Sequence, residues 1–172
     1  SIDDFTEAIK LRPDYPEADK NRGDSYRHDH KYDLSIADYT KAIELRPNFA
    51  DAYGGRAGAY KLRYDFENAI ADITKGIQLQ PKVGLYYYER ARIYLEKAGG
   101  DLITDYSGGK RPDMPSVELA IADLTTAIQL KPDAAKLITR ARAYCLSNRK
   151  DLAAADEQKA TELGAKYVTK CQ

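Results

Sequence analysis

Four arginines in this chain stand in closely similar surroundings, Arg22, Arg56, Arg90 and Arg140, each just before a small residue. Each is followed at a matching place by an aspartate, Asp38, Asp72, Asp123 and Asp156, and Asp4 repeats that aspartate in the opening stretch. A guanidinium and a carboxylate make a bidentate, charge-assisted pair. A charge held between packed helices needs such a partner. A row of arginines is also suited to reading an acidic ligand. Because the aspartates copy with the arginines, the pattern reads as a ladder of structural Arg–Asp pairs.

Other residues with chemical potential are isolated. His28 and His30 flank Asp29 in a polar turn, and no further ligand at zinc spacing is nearby. Cys145 and Cys171 form no disulfide framework by count, and no histidine lies in their half of the chain to activate a thiol. The segment "GGKRPD" lacks the G-x-x-x-x-G-K-[ST] spacing and the preceding strand of a phosphate loop. No nucleophile, base and orienter come together, so the sequence implies no enzyme, no metal and no cofactor.

The elements that position these residues follow from four prolines. Pro13, Pro47 and Pro81 are spaced by 34 residues, and Pro132 follows after 51, which is 34 plus an insertion of 17. Each closes a similar phrase: "FTEAIKLRP", "YTKAIELRP", "ITKGIQLQP" and "LTTAIQLKP". A fixed period of this size is one supersecondary unit copied in tandem. Within a unit, Ile36, Tyr39 and Ile43 fall on one helical stripe, and the proline that follows ends that helix. Such helix pairs bury their apolar faces only by stacking. Lys+Arg and Asp+Glu are both 27, so there is no basic excess for nucleic acid or an anionic membrane. No apolar run reaches the ~18 residues of a membrane span. No signal-peptide pattern opens the chain, although it begins with Ser1.

The unit resembles the tetratricopeptide repeat, in the style of its bacterial members. The matching residues are Tyr53, Ala57, Tyr60, Ala69, Ile73, Gly76 and Pro81 in the second copy. The third carries Tyr87, Ala91, Tyr94, Ala120, Leu124, Ala127 and Pro132, and the fourth Ala141, Tyr144, Ala153 and Ala160. The first departs at its opening aromatic, where Asp19 stands. The resemblance implies an all-α, right-handed superhelical solenoid. Its expected parts are 1–15 (the second helix of a partial repeat), 16–49, 50–83, 84–133 with an inserted loop at about 99–116, 134–164, and a tail at 165–172.

The resemblance also implies a concave groove, lined by the first helices, that holds peptides or partner helices. The residues placed there by register are Lys20, Asp24 and Arg27, then Gly54, Gly58 and Lys61. The third copy adds Leu85, Tyr88, Arg92 and Leu95, and the fourth Ile138, Arg142, Cys145 and Leu146. Tyr86 joins Tyr88 as a contact candidate, Tyr87 being core by register. A ligand with an apolar anchor beside a carboxylate suits the second half; the bland alternative is that Leu85, Ile138 and Leu146 pack between repeats. The glycines of "GGRAG" read either as a bare patch of groove floor or as tolerated drift, each costing roughly 0.8–1 kcal/mol against alanine. The chaperone-binding clamp of this family is excluded, since Asp24 and Gly55 stand where its asparagines belong.

The two ends differ. Residues 2–12 keep the full stripe of Ile2, Phe5, Ile9 and Leu11, a second helix without its first. In the last helix, about 150–163, Glu157 and Thr161 replace the aromatic and the aliphatic, giving a polar terminal face that stops at Gly164. Leu102, Ile103 and Tyr106 give the inserted loop apolar content, to fold back onto the stack or to carry a partner contact. The function implied is a non-catalytic scaffold or adaptor whose partner is a protein or peptide. The alternatives are self-assembly as a homo-oligomer through the exposed N-terminal helix, or an accessory domain of a larger enzyme or envelope complex.

Overall fold

The computed structural model describes residues 1–99, 112–166 and Cys171. Those residues form helices α1 (Ile2–Leu11), α2 (Pro16–His28), α3 (Tyr32–Leu45), α4 (Ala50–Leu62), α5 (Phe66–Leu79), α6 (Gly84–Lys97), α7 (Met114–Leu130), α8 (Ala134–Leu146) and α9 (Lys150–Glu162). There is no strand among them, and none of these helices is long and apolar enough to cross a membrane. The fold is an all-α solenoid of helix–turn–helix repeats. It divides into two compact units, Ser1–Pro81 and Lys82–Gln172.

In the first unit α2 pairs with α3 and α4 with α5, while α1 packs on α2 and α3 on α4. In the second unit α6 pairs with α7 and α8 with α9, with α7 against α8. Small residues make these close crossings. Ala42, Ala57, Ala59, Ala69, Ala91, Ala120, Ala127, Ala141, Ala143 and Ala153 are buried, and Tyr39, Ile73 and Leu124 fill the spaces between them. Gly23 belongs to the same set, because a Cβ there would lie 3.2 Å from the Tyr39 ring.

Helix ends follow local chemistry. The second helices stop at residues in extended backbone, Arg12, Arg46, Gln80 and Lys131. Each precedes a proline, whose ring disfavours the helical region for the residue before it. The first helices of the complete pairs end in a left-handed residue. His30 has φ 59°, Tyr64 61° and Asn148 58°, and Gly99 has φ 82°. Lys31, Asp65 and Arg149 donate their N–H groups back to Tyr26, Tyr60 and Tyr144, closing the last turn in a Schellman motif. Gly164, at φ 93°, ends α9 in the same way.

One expected boundary is corrected. The inserted segment does not run to Ser116, because α7 starts at Met114 with Pro115 in its first turn. Proline is well suited to that position, where no donated N–H is needed. Leu102, Ile103 and Tyr106 lie outside the described residues. Cys171 is disulfide-bonded to Cys145 on α8.

Asp133 starts α8 by accepting from the Lys136 N–H at 2.9 Å, and it also holds the buried Lys136 ammonium at 2.5 Å. Burial raises the Asp133 carboxyl pKa, yet the bonds from Lys136 outweigh it and hold it below its ordinary value. Asp133→Ala is expected to cost about 2 kcal/mol at neutral pH, from the lost cap and a buried ammonium left with only the Lys131 carbonyl. A depressed acid contributes stability above its unfolded pKa and loses it as pH falls through the folded value. The gap between wild type and variant should therefore be full above about pH 5 and close below the ordinary aspartate pKa of about 3.9. Urea denaturation at stepped pH measures it.

Candidate recognition faces and the charged rungs

In the structure each of the four arginines spans its own helix pair and grips the aspartate through both oxygens. Arg22 donates to Asp38 at 2.7 and 2.7 Å. Arg56 reaches Asp72 at 2.7 and 2.8 Å, Arg90 reaches Asp123 at 2.7 and 2.8 Å, and Arg140 reaches Asp156 at 2.7 and 2.8 Å. All four aspartates are buried. These bonds hold each guanidinium's pKa above its ordinary value, against the opposing effect of burial.

A threonine completes the rungs of Arg22, Arg56 and Arg140. Arg22 donates to Thr6 at 3.3 Å, Arg56 to Thr40 at 2.9 Å and Arg140 to Thr125 at 3.0 Å. Each threonine hydroxyl donates in turn to the carbonyl four residues earlier, at 2.8 Å. The rung thus joins two helices of one repeat to the second helix of the repeat before it. The arginines are consumed internally and cannot serve as a row that reads an acidic ligand. The threonines carried a sequence signal, since Thr6, Thr40, Thr74 and Thr125 copy with the prolines' own spacing. Tyr26, Tyr60 and Tyr144 are half-buried, with the rung guanidinium 5.6–6.0 Å from the ring centre.

On the α2–α4 face of the first unit the charges satisfy one another. Lys20 pairs with Asp24 at 2.7 Å. The Tyr39 hydroxyl donates to Asp24 at 2.5 Å and accepts from Arg27 at 3.3 Å. Burial, and then the Asp24 carboxylate, push the Tyr39 phenol pKa well up. A Cβ on Gly58 would lie 3.5 Å from the Arg27 guanidinium, so the Arg27 side chain already lies across that glycine. Gly55 has a packing reason that neither sequence reading held: a Cβ there would stand 2.5 Å from the Tyr39 ring. Gly54 and Lys61 are half-buried on the same helix. Asp19 is 2% exposed, and its Oδ2 has no hydrogen-bond partner among the described residues. Burial first, and the Asp38 charge second, push its carboxyl pKa up.

The α6–α8 face of the second unit is different. Leu85 projects into solvent, 57% exposed. Tyr88 is half-buried against the core around Ala91, Leu95 and Ala143, and its hydroxyl reaches Thr139 on α8 at 3.4 Å. Arg92 lies 5.8 Å from the Tyr88 ring centre and bonds both Glu89 oxygens at 3.2 Å. Arg142 is half-buried on α8. Several expected contact residues are corrected here. Tyr86 and Leu95 are buried, because the crossing of α6 turns them inward. Ile138 packs with Ile128, Leu137 and Ala160, and Leu146 packs on the core near Val117. Cys145 is taken by the disulfide. His30 bonds the Tyr32 hydroxyl at 2.8 Å, and His28 faces Asp29 at 3.9 Å.

Comparison with known proteins agrees with this architecture. The tetratricopeptide repeat family model matches residues 21–49. No curated protein matches the sequence. Among solved structures, MamA residues 41 to the end from Desulfovibrio magneticus RS-1 is similar at 17% identity with TM-score 0.77, over 94% of this chain and 82% of that one. A thermophilic TPR protein of Thermus thermophilus is similar at 18% identity and TM-score 0.71, over 96% and 82% of the two chains. The first TPR of Spaghetti (RPAP3), bound to an HSP90 peptide, is similar at 20% identity and TM-score 0.62, over 78% and 91%.

Proposed function

We propose that this tetratricopeptide-repeat solenoid is a non-catalytic interaction scaffold whose α6–α8 face takes a segment of a partner protein. The observation that carries this is exposed Leu85 on the same helix as Tyr88 and Arg92, with the Arg92 guanidinium 5.8 Å from the Tyr88 ring centre and bonded to its neighbour Glu89. Aromatic and arginine side chains of this kind dominate the energy of protein interfaces. A segment with an apolar side chain beside a carboxylate complements it, with the carboxylate displacing Glu89 from Arg92. The HSP90 peptide held by the similar RPAP3 repeat is a precedent for the mode, not for the ligand. The first unit's face is a weaker candidate, since Lys20, Asp24, Arg27 and Tyr39 already satisfy one another.

The test is capture of partners from a lysate by the immobilised chain, beside a Leu85→Asp/Arg92→Ala variant and a Lys20→Ala variant. A partner of the α6–α8 face should lose at least about tenfold in affinity with the first variant, as expected for hot-spot truncation. It should be retained by the second. Equal capture by all three would remove this face from consideration.

Self-association is supported by a separate observation. No residue of α1 is buried, and Leu11 is 79% exposed at the end of its apolar stripe. If α1 joins two copies, sedimentation mass should rise with concentration for the wild type and stay monomeric for Phe5→Glu.

A further inference from the structure

We propose that the end of the second unit is a redox-gated metal site, in which Cys145, Cys171 and Glu157 hold one zinc ion when the disulfide is reduced. The ligand atoms of these three residues all lie within 4.8 Å of one another. The repeat register explains why that is unusual. Glu157 follows Asp156 as Tyr39 follows Asp38, at the position other copies fill with Tyr39, Ile73 and Leu124, all core residues. Cys145 follows Arg140 by five residues, as Arg27 follows Arg22. In the first copy those two positions touch, Arg27 bonding the Tyr39 hydroxyl. In the last copy the same touching positions both carry metal-ligating residue types. The chain then returns a second thiol to the spot at Cys171.

The carboxylate supplies the independent sign. Glu157 Oε1 is buried and has no hydrogen-bond partner among the described residues. A buried carboxylate oxygen with nothing to bond is costly, and a cation bound beside the sulfurs would satisfy it. With the bridge intact, the sulfurs are bonded to each other and have no thiolate to offer. A dithiol reductant passes two electrons and two protons to the bridge, giving two thiols and the reductant's own disulfide. A zinc ion then displaces the two thiol protons to solvent and takes both thiolates and the carboxylate, leaving one tetrahedral position for water. Two thiolates with one carboxylate suit zinc better than calcium or magnesium. Bridge and metal are thus alternative ways of pinning the tail to α8, one for each redox state.

Cobalt(II) is the probe, because its thiolate charge-transfer absorption counts sulfur ligands. The intact protein is reduced with a dithiol, desalted without oxygen and titrated with cobalt, then with zinc. Reduced wild type is expected to take one cobalt per chain with thiolate absorption, which zinc abolishes; the oxidised protein should take none. Loss of a second-sphere group costs roughly 10–100-fold in metal affinity, so loss of a direct ligand in Glu157→Gln should weaken binding at least about tenfold. Cys171→Ser should lose about half of any residual thiolate absorption per bound metal. Far-UV circular dichroism identical to wild type establishes that the variants are folded. Absence of thiolate absorption in reduced, folded wild type would overturn the proposal, as would wild-type affinity in Glu157→Gln.

Discussion

Asp72→Ala is expected to destabilise the first unit by about 3 kcal/mol, the low end of the range for removing one partner of a buried ion pair. The size depends on burial. The Arg56 and Asp72 side chains are only 16% and 10% exposed, and the guanidinium is fixed by two bonds to Asp72 and one to Thr40. Without the carboxylate, the arginine stays charged in a place where water reaches it poorly. An exposed pair gives the contrast. Asp33 and Arg63 are also bonded, but at 80% and 49% exposure water replaces either partner, so Asp33→Ala should cost less than about 1 kcal/mol. The pair's net value is a separate question, because an apolar pair of similar volume often does as well. Arg56→Met/Asp72→Leu should therefore recover at least half of the loss. Urea denaturation of the four proteins decides it. A loss under about 1 kcal/mol for Asp72→Ala, the range of exposed pairs, would make the rungs surface decoration. A double variant no better than the single would mean that the charge itself is required.

What the sequence discloses here depends on whether a feature is copied. The helices, their proline stops and the Arg–Asp rungs were legible because four copies carry them in register. Selection for one interface repeated along a stack writes the same residue types at the same interval. Features made once were not legible. The reason for Gly55 lies in the Tyr39 ring of the previous repeat, a contact no spacing rule predicts. The Cys145–Cys171 bridge joins a repeat to a tail outside the register. Among the three consecutive tyrosines, Tyr86 to Tyr88, the register places Tyr87 in the core and Tyr86 outward. The structure buries Tyr86 and leaves Tyr87 and Tyr88 half-buried, because residues adjacent in a helix differ by only about 100° and packing decides between them. The proposed α6–α8 recognition face is the least legible part, since its residues do not repeat from copy to copy.

Gly55→Ala inverts the usual rule for glycine in a helix. In an unconstrained helix interior the exchange stabilises by roughly 0.8–1 kcal/mol, through the restricted unfolded chain and better propensity. Here the new Cβ would meet Cε1 and Cζ of Tyr39 at 2.5 Å and its hydroxyl oxygen at 2.8 Å. The ring cannot simply swing away. It is 0% exposed, packed with Ala42, Ala52 and Ala59 in one core cluster, and its hydroxyl is held by Asp24 and Arg27. Either the ring moves and breaks those bonds or α4 shifts off α3. Overpacking of this kind costs about 1–3 kcal/mol, and losing the hydroxyl's bond to a charged partner adds about 1.5–3 kcal/mol. The penalty exceeds the propensity gain, so a net loss of about 2 kcal/mol is expected. Gly58→Ala, three residues on in the same helix, is the internal control. Its Cβ would make ordinary contact at 3.5 Å with a flexible arginine, so the propensity gain should survive and the variant should match or exceed wild type. Two glycine-to-alanine exchanges in one helix with opposite signs, measured by urea denaturation, would place the close approach at Gly55. A stabilised Gly55→Ala would mean that Tyr39 has room to move, and that the charge chain from Lys20 to Arg27 is looser than its distances imply.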